Sequence, residues 1–278
     1  MADTLTPEKW GNKESADWWS AGQAARQQNY GAATEMMLDL AGVQAGSRVL
    51  DVAAGTGESA LMAAARVGPK GHVLAADASA AMLDVAAEAA RQAGLTNVET
   101  RAMNAENLEL DPDSFDAVIC RNALMLFLHP VKALTEMRRV VKPGGKVAVI
   151  VLAALEKNPY HGILHEAARR IGNIPAPAPG EPWQYALGEP GALEEVYRRA
   201  DFLNMSVRAV PIQRRLPSAA AAVENMKKGA GDTRELMSRL NEADRERAWA
   251  DITEEFRRYE GPNGFEIPGE VLIGVGTK

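Results

Sequence analysis

Cysteine is almost missing from this 278-residue chain: Cys120 stands alone. One thiol closes no disulfide within the chain and builds no thiolate metal cluster. Aromatic residues are scarce, five each of Trp, Tyr and Phe. Long basic runs are missing too, and the formal net charge is −6. That balance argues against a nucleic-acid surface as the main business of the protein. No stretch approaches the roughly 20 apolar residues of a membrane span. Residues 1–11 are polar and acidic, without the apolar centre of a signal peptide. The expectation is a cytoplasmic globular protein, a monomer or homodimer, with no nucleic-acid partner and no membrane span.

What is present centres on residues 48–61. Arg48–Val52 is a short strand-like run, Ala53-Ala54-Gly55-Thr56-Gly57 a glycine turn, and the residues beyond begin a helix. Such a turn feeding a helix N-terminus is a common phosphate cradle. The spacing Gly55-x-Gly57-x-x-Ala60 fits the loose dinucleotide fingerprint. Asp51 points elsewhere, because it would set negative charge beside a diphosphate. A cationic cofactor suits it better. S-adenosylmethionine carries a sulfonium and an ammonium and no phosphate.

The pattern downstream predicts alternating strands and helices. Strands are expected at 48–52, 72–76, 98–103, 115–120 and 146–152, with helices at 57–67, 79–93 and about 131–140. The last of these helices is expected to end in the turn Lys142-Pro143-Gly144-Gly145. Beyond residue 152 come helices at 160–171 and 192–200, a strand at 205–211, two or three polar helices within 218–259, and a strand at 271–276. The sum is an α/β, Rossmann-like, seven-stranded, mostly parallel sheet with an antiparallel last strand, helices on both faces and a helical lid elaboration. Three parts are expected: an N-terminal helical lid at 1–30, a cofactor-binding core at 31–152, and a completion at 153–278 that shapes the substrate pocket. Trp10, Trp18, Trp19 and Tyr30 make the opening segment unusually aromatic. Trp10-Gly11 is its expected first anchor. A proline-rich stretch at 174–182 reads as a stiff connector.

Four motifs, in order on these elements, resemble the class I S-adenosylmethionine-dependent methyltransferases, in the small-molecule branch that looks like the ubiquinone/menaquinone C-methyltransferases. They are the acidic-glycine loop at 51–57, the ribose acid Asp77-Ala78-Ser79 followed by Met82-Leu83, the adenine loop Asn104-Ala105-Glu106-Asn107-Leu108, and the strand-four and strand-five signatures at 115–118 and 134–145. Two departures stand out: Ala53 replaces the first loop glycine, and Asn104 an aspartate usual in the adenine loop. The resemblance implies S-adenosylmethionine as cofactor, held by Asp51, Ala53, Gly55, Gly57, Asp77, Ala78, Met82, Asn104, Ala105, Glu106 and Arg121. Asp77 is placed to accept both ribose hydroxyls, and Met82 to pack the adenine face. Asp51 is expected near the amino-acid end of the cofactor, or bonded to the loop's own amides. A bulky side chain at Gly57 is expected to abolish binding and leave the fold intact.

Methyl transfer asks for proximity, orientation and exclusion of water more than for side-chain chemistry. A base is needed only where the acceptor must lose a proton. The catalytic candidates are His129, ranked first, Tyr30 and His165, with His161 and Tyr185 beside them. His161 and His165 share a helix face, a spacing that also suits a metal beside Glu166; with no third ligand evident, a plain helix face is preferred. The partner is a small organic methyl acceptor, and no metal is expected. An NAD(P)-dependent oxidoreductase on the same opening, or a cofactor-binding protein without transferase activity, stands as the alternative.

Overall fold

The computed structural model describes residues 13–178, 181–229 and 232–278. The Trp10-Gly11 anchor and residues 179–180 of the proline-rich stretch lie outside them. Strands β1 (Arg48–Val52), β2 (His72–Asp77), β3 (Val98–Ala102), β4 (Phe115–Arg121), β5 (Val141–Leu152), β6 (Leu203–Leu216) and β8 (Gly264–Thr277) lie in the order β3-β2-β1-β4-β5-β8-β6. The two-residue β7 (Glu260–Gly261) pairs with β8 and brings the sheet to eight strands, one more than expected. β8 alone runs against the rest, since it pairs antiparallel with both β5 and β6. The central strands are buried almost throughout, which is why they read as continuous apolar runs rather than as alternating ones.

Helices α1 (Lys13–Ala21), α2 (Gln23–Leu40), α3 (Glu58–Val67), α4 (Ala80–Gln92) and α5 (Pro130–Val140) belong to the first half. The second half holds α6 (Pro159–Gly172), α7 (Ala192–Arg199), α8 (Ala219–Lys228), α9 (Asp232–Ser238) and α10 (Glu242–Arg257). The strand order reverses between β1 and β4, so the crevice for a ligand opens at the carboxyl ends of those two strands. Asp51 and Arg121 sit there.

Three boundaries differ from expectation. The segment at 142–145 is not a turn before β5 but a bulge inside it: Phe115 pairs with Val141 and Ala117 with Lys146, so the four residues 142–145 stand opposite Asp116 alone. Lys142 Nζ holds the Asp116 carboxylate at 2.6 Å across that bulge. The apolar spacing of Ala33, Met36, Met37 and Leu40 marks a helix over 31–40, but α2 starts at Gln23, eight residues earlier, because its polar first half is largely exposed and carries no apolar stripe. The β6–β8 hairpin is also twice as long as the apolar pattern showed. Residues 212–216 and 264–270 continue as a two-stranded ribbon past Leu152, where β5 ends opposite Val271.

That ribbon supports a second core. The main core lies around the sheet, while Tyr160, Leu164, Val223, Leu240, Ile252, Phe256, Phe265 and Ile267 form a separate apolar cluster among α6, α8, α9, α10 and the ribbon. No helix of the described residues is long and apolar enough to cross a membrane.

Candidate functional site

The glycine turn is held by its own strand neighbours. Ala54 N donates to Ala76 O (3.0 Å), Gly57 N to Ala54 O (2.9 Å) and Gly55 N to Asp77 Oδ2 (2.8 Å). Ala53, Gly55 and Gly57 all have left-handed backbones, with φ of 56°, 55° and 90°. The alanine that replaces the first loop glycine is therefore conformationally strained, a cost its small size does not remove. The two glycines serve different ends. A Cβ on Gly55 would meet nothing within 4 Å, whereas one on Gly57 would sit 2.8 Å from Ala86 Cβ of α4. Gly57 thus serves helix packing, and a side chain there damages the fold, contrary to expectation. Gly55 keeps the open side of the cradle clear.

Asp51 is fully buried. Its Oδ2 accepts from the Ser59 hydroxyl at 2.7 Å, not from the loop amides, and its Oδ1 has no partner among the described residues. Burial pushes its carboxyl up to about 7, against the pull of the Ser59 hydrogen bond and the Arg121 charge. Asn122, just past β4, has a left-handed backbone with φ of 56°, and its Oδ1 is buried without a partner as well. Two orphaned acceptors at the ends of neighbouring strands are costly unless a donor arrives. An ammonium, with three N–H groups and a positive charge, fits that requirement; a phosphate does not.

Asp77 is already engaged on both oxygens: Oδ2 with Gly55 N, and Oδ1 with Ser79 N at 2.9 Å. Burial raises its pKa, and those amides oppose the rise. Each oxygen keeps a lone pair free for a hydroxyl. Ser79 caps α4 by accepting from Met82 N at 3.2 Å, which buries Met82 in the first turn of that helix, while Ala78 is exposed. In the loop at 104–108, expected to border adenine, Asn104 Oδ1 accepts from Glu106 N at 2.8 Å, so its acceptor bonds its own loop. Glu106 Oε1 in turn accepts from His129 N at 3.0 Å, and Ala105 lies half-buried between. Glu136 and Arg139 of the strand-five signature clamp the end of this loop. Glu136 accepts from Leu108 N, and Arg139 donates to the carbonyls of Leu108 and Leu110.

Arg121 is buried rather than part of a surface ion pair. Its Nη2 donates to Glu58 Oε2 at 2.9 Å and its Nη1 reaches Thr34 Oγ1 at 3.4 Å. Arg26 of α2 binds the other oxygen of Glu58, through Nε at 2.8 Å and through Nη2. Arg26 also donates to the Trp19 carbonyl and stacks over the Trp19 ring at 4.5 Å. Neither Arg26 nor Glu58 is among the site residues expected from the sequence. Their one signal was position: Glu58 directly follows the glycine turn, where a helix N-terminus favours a carboxylate.

Helix α2 then links this region to a second cleft. Thr34 donates to the Tyr30 carbonyl, and Tyr30 lines a cavity of about 20 Å³ with Leu152, His161, Ile212, Arg214 and Ile267. His161 Nδ1 lies 2.6 Å from the Tyr185 hydroxyl. Burial, with the charge of Arg214, holds the His161 pKa well below its ordinary value. His165 is one turn further in, packed on the rings of Trp183 and Tyr185, with no hydrogen-bond partner on either nitrogen among the described residues. Burial lowers its pKa to about 4. Of the catalytic candidates, Tyr30 and His161 therefore meet in one cleft, and His165 lies behind it. His129 is exposed at the start of α5, beside the loop at 104–108. Among the described residues no three His, Cys, Asp or Glu side chains converge as a metal site. Cys120 is buried, and burial raises its thiol pKa far above the ordinary value.

A wider hollow of about 370 Å³ opens beside Gly46, Asp116 and Gly145. It lies at the amino ends of the strands, the opposite edge from the crevice of a parallel sheet.

Comparison with known proteins agrees with this geometry. Over 108 residues the chain is 43% identical to a demethylmenaquinone methyltransferase of Listeria welshimeri, a match covering 39% of this chain and 46% of that protein. Over 114 residues it is 39% identical to the ubiquinone/menaquinone biosynthesis C-methyltransferase UbiE of Pseudomonas putida, covering 41% and 44%. The chain thus spans less than half the length of these curated relatives. The crystal structure of the YcgJ protein from Bacillus subtilis shares the fold, with a TM-score of 0.58 at 22% identity, over 89% of this chain and 98% of that one. A model of the methyltransferase domain matches residues 44–189, more than half of the chain, and the chain belongs to the methyltransferase domain family.

Proposed function

We propose that this protein transfers the methyl group of S-adenosylmethionine to a small organic acceptor without a metal, as a cytoplasmic enzyme. The observation that carries the reading is the pair of buried, unpartnered acceptors, Asp51 Oδ1 and Asn122 Oδ1, beside a glycine cradle whose open side a Cβ on Gly55 would fill. The cofactor supplies a methyl group already activated by its sulfonium. Asp51 and Asn122 take its ammonium end, Gly55 lets the backbone approach, and Asp77 accepts the ribose hydroxyls. Met82 and the Asn104–Glu106 loop border the adenine. Arg121, neutralised by Glu58, borders the side where the acceptor enters. Of the lid expected at 1–30, the described residues 13–30 act as a cover, tied to the cradle where Arg26 joins the Trp19 carbonyl to Glu58. The chain's own contribution is positioning and exclusion of water. The matched stretches of the quinone-biosynthesis relatives leave most of each relative uncovered, so the acceptor is read from this chain's own distal half.

Calorimetric titration with S-adenosylmethionine, its demethylated product S-adenosylhomocysteine, and NADH tests the reading. Micromolar binding of the first two and none of NADH is expected. The Gly55→Ala variant should lose about tenfold or more in affinity, roughly 1.4 kcal/mol, while the fold remains. NADH binding with refusal of both sulfur compounds would restore the oxidoreductase alternative. Radiolabelled methyl transfer to an acceptor panel separates the enzyme from a binding protein.

A further inference from the structure

The cleft under Tyr30 carries a charge that the described residues leave unanswered. On β6, Gln213 and Arg215 turn to one face and share Glu266, Arg215 Nε at 2.9 Å. Period-two alternation turns Ile212 and Arg214 to the other face, into the cleft. Arg214 makes no ion pair with a carboxylate among the described residues. Its guanidinium lies over the Tyr160 ring, 4.0 Å from the centroid. The Tyr160 hydroxyl donates to Ala222 O at 3.0 Å and accepts from Asn225 Nδ2 at 3.2 Å, and the Arg214 guanidinium reaches it as well, a neutral partner that leaves the Arg214 charge uncompensated. His161 uses Nδ1 toward Tyr185. With Tyr185 donating there, Nε2 carries the ring proton and is a donor.

We propose that this cleft is an oxyanion seat, in which Arg214 and His161 Nε2 hold an acidic oxygen of the methyl acceptor. Its cavity of about 20 Å³ suits one water-sized polar group, so the acid end enters and the rest of the acceptor faces the cofactor. The acceptor class is therefore a small acid, a carboxylate or an ionised phenol. His161 is a poor base because burial and Arg214 disfavour its cation. An acceptor that arrives already ionised, with Arg214 as counter-ion, needs no strong base. The assignment rests on the methyltransferase reading above, because it makes the bound acid the acceptor.

Calorimetry on the full chain saturated with S-adenosylhomocysteine tests it with two matched pairs at pH 8: benzoate against benzamide, and 4-nitrophenolate against 4-nitroanisole. At least one anion is expected to bind about tenfold or more tightly than its neutral partner; which pair responds tells carboxylate from phenolate. Arg214→Gln should abolish that preference and leave S-adenosylhomocysteine affinity unchanged, and Arg214→Lys should restore part of it. Equal binding of anion and neutral partner, an equal loss of both in Arg214→Gln, or no anion binding while S-adenosylhomocysteine still binds would each overturn the seat alone. Failure of S-adenosylhomocysteine to bind the parent protein would instead overturn the cofactor reading.

Discussion

The two halves of this molecule are built on different principles. The cradle at the ends of β1 and β2 is made of backbone: left-handed residues, loop amides and the carboxylates that hold them, nearly all within residues 51–79. The cleft beside it is made of side chains gathered from α2, α6, β6 and β8. The first resists change because its geometry is covalent and local. The second depends on a separate apolar cluster and a strand ribbon that leaves the main sheet.

The contrast is sharpest in the cradle, where the largest effect is expected. Gly57→Val combines a left-handed backbone with a clash against Ala86 and should cost about 4 kcal/mol or more. Folding and cofactor binding would be lost together in a urea titration. A stable Gly57→Val protein that merely fails to bind would mean that Gly57 faces the ligand, not α4.

Next comes the charge bridge between α2 and the cradle. Glu58→Gln leaves Arg26 and Arg121 buried without their carboxylate, and should destabilise by about 3 kcal/mol. Denaturant midpoints read this directly. A change below about 1 kcal/mol, the scale of a surface pair, would show that the bridge is solvated.

The distal half should answer to acid instead. Unfolded His165 titrates near its ordinary 6.5, and folded His165 near 4. The unfolded chain therefore binds more protons between those values. Stability is present in full above pH 6.5 and is lost as pH falls through about 4, by about 2 kcal/mol at pH 5. His165→Leu should flatten this part of the pH–stability curve. An unaltered acid slope in that variant would place the proton uptake elsewhere.

The smallest effect returns to the glycine loop. Ala53→Gly relieves the left-handed strain at a cost in unfolded-chain entropy, for a net gain of about 0.5 kcal/mol. A lower melting temperature would mean that the Ala53 methyl contributes more by packing than its backbone costs.

Much of the first half was legible in sequence because its signals are consecutive. Asp51, the glycines and Asp77 declared a strand, a turn and a second strand, and the alternation of strands and helices implied a mostly parallel sheet. What went unread was polar. The first two turns of α2 lack apolar periodicity, and at the outer end of β8 the short alternation Phe265-Glu266-Ile267 is cut off by Pro268 and Gly269. In the structure Pro211 lies on the edge strand, where a missing N–H is tolerated.

The sequence by itself determined the glycine cradle, because residues a few positions apart on a strand and its turn have little freedom to be elsewhere. The tertiary structure alone decided the cleft under Tyr30. Tyr30, His161, Arg214 and Ile267 are remote in the chain, and nothing local says that they meet. The register of β6 on β8, with Arg214 opposite Ile267 and Arg215 opposite Glu266, sets which arginine faces the cleft and which is neutralised outside it. A slip of one residue would exchange them.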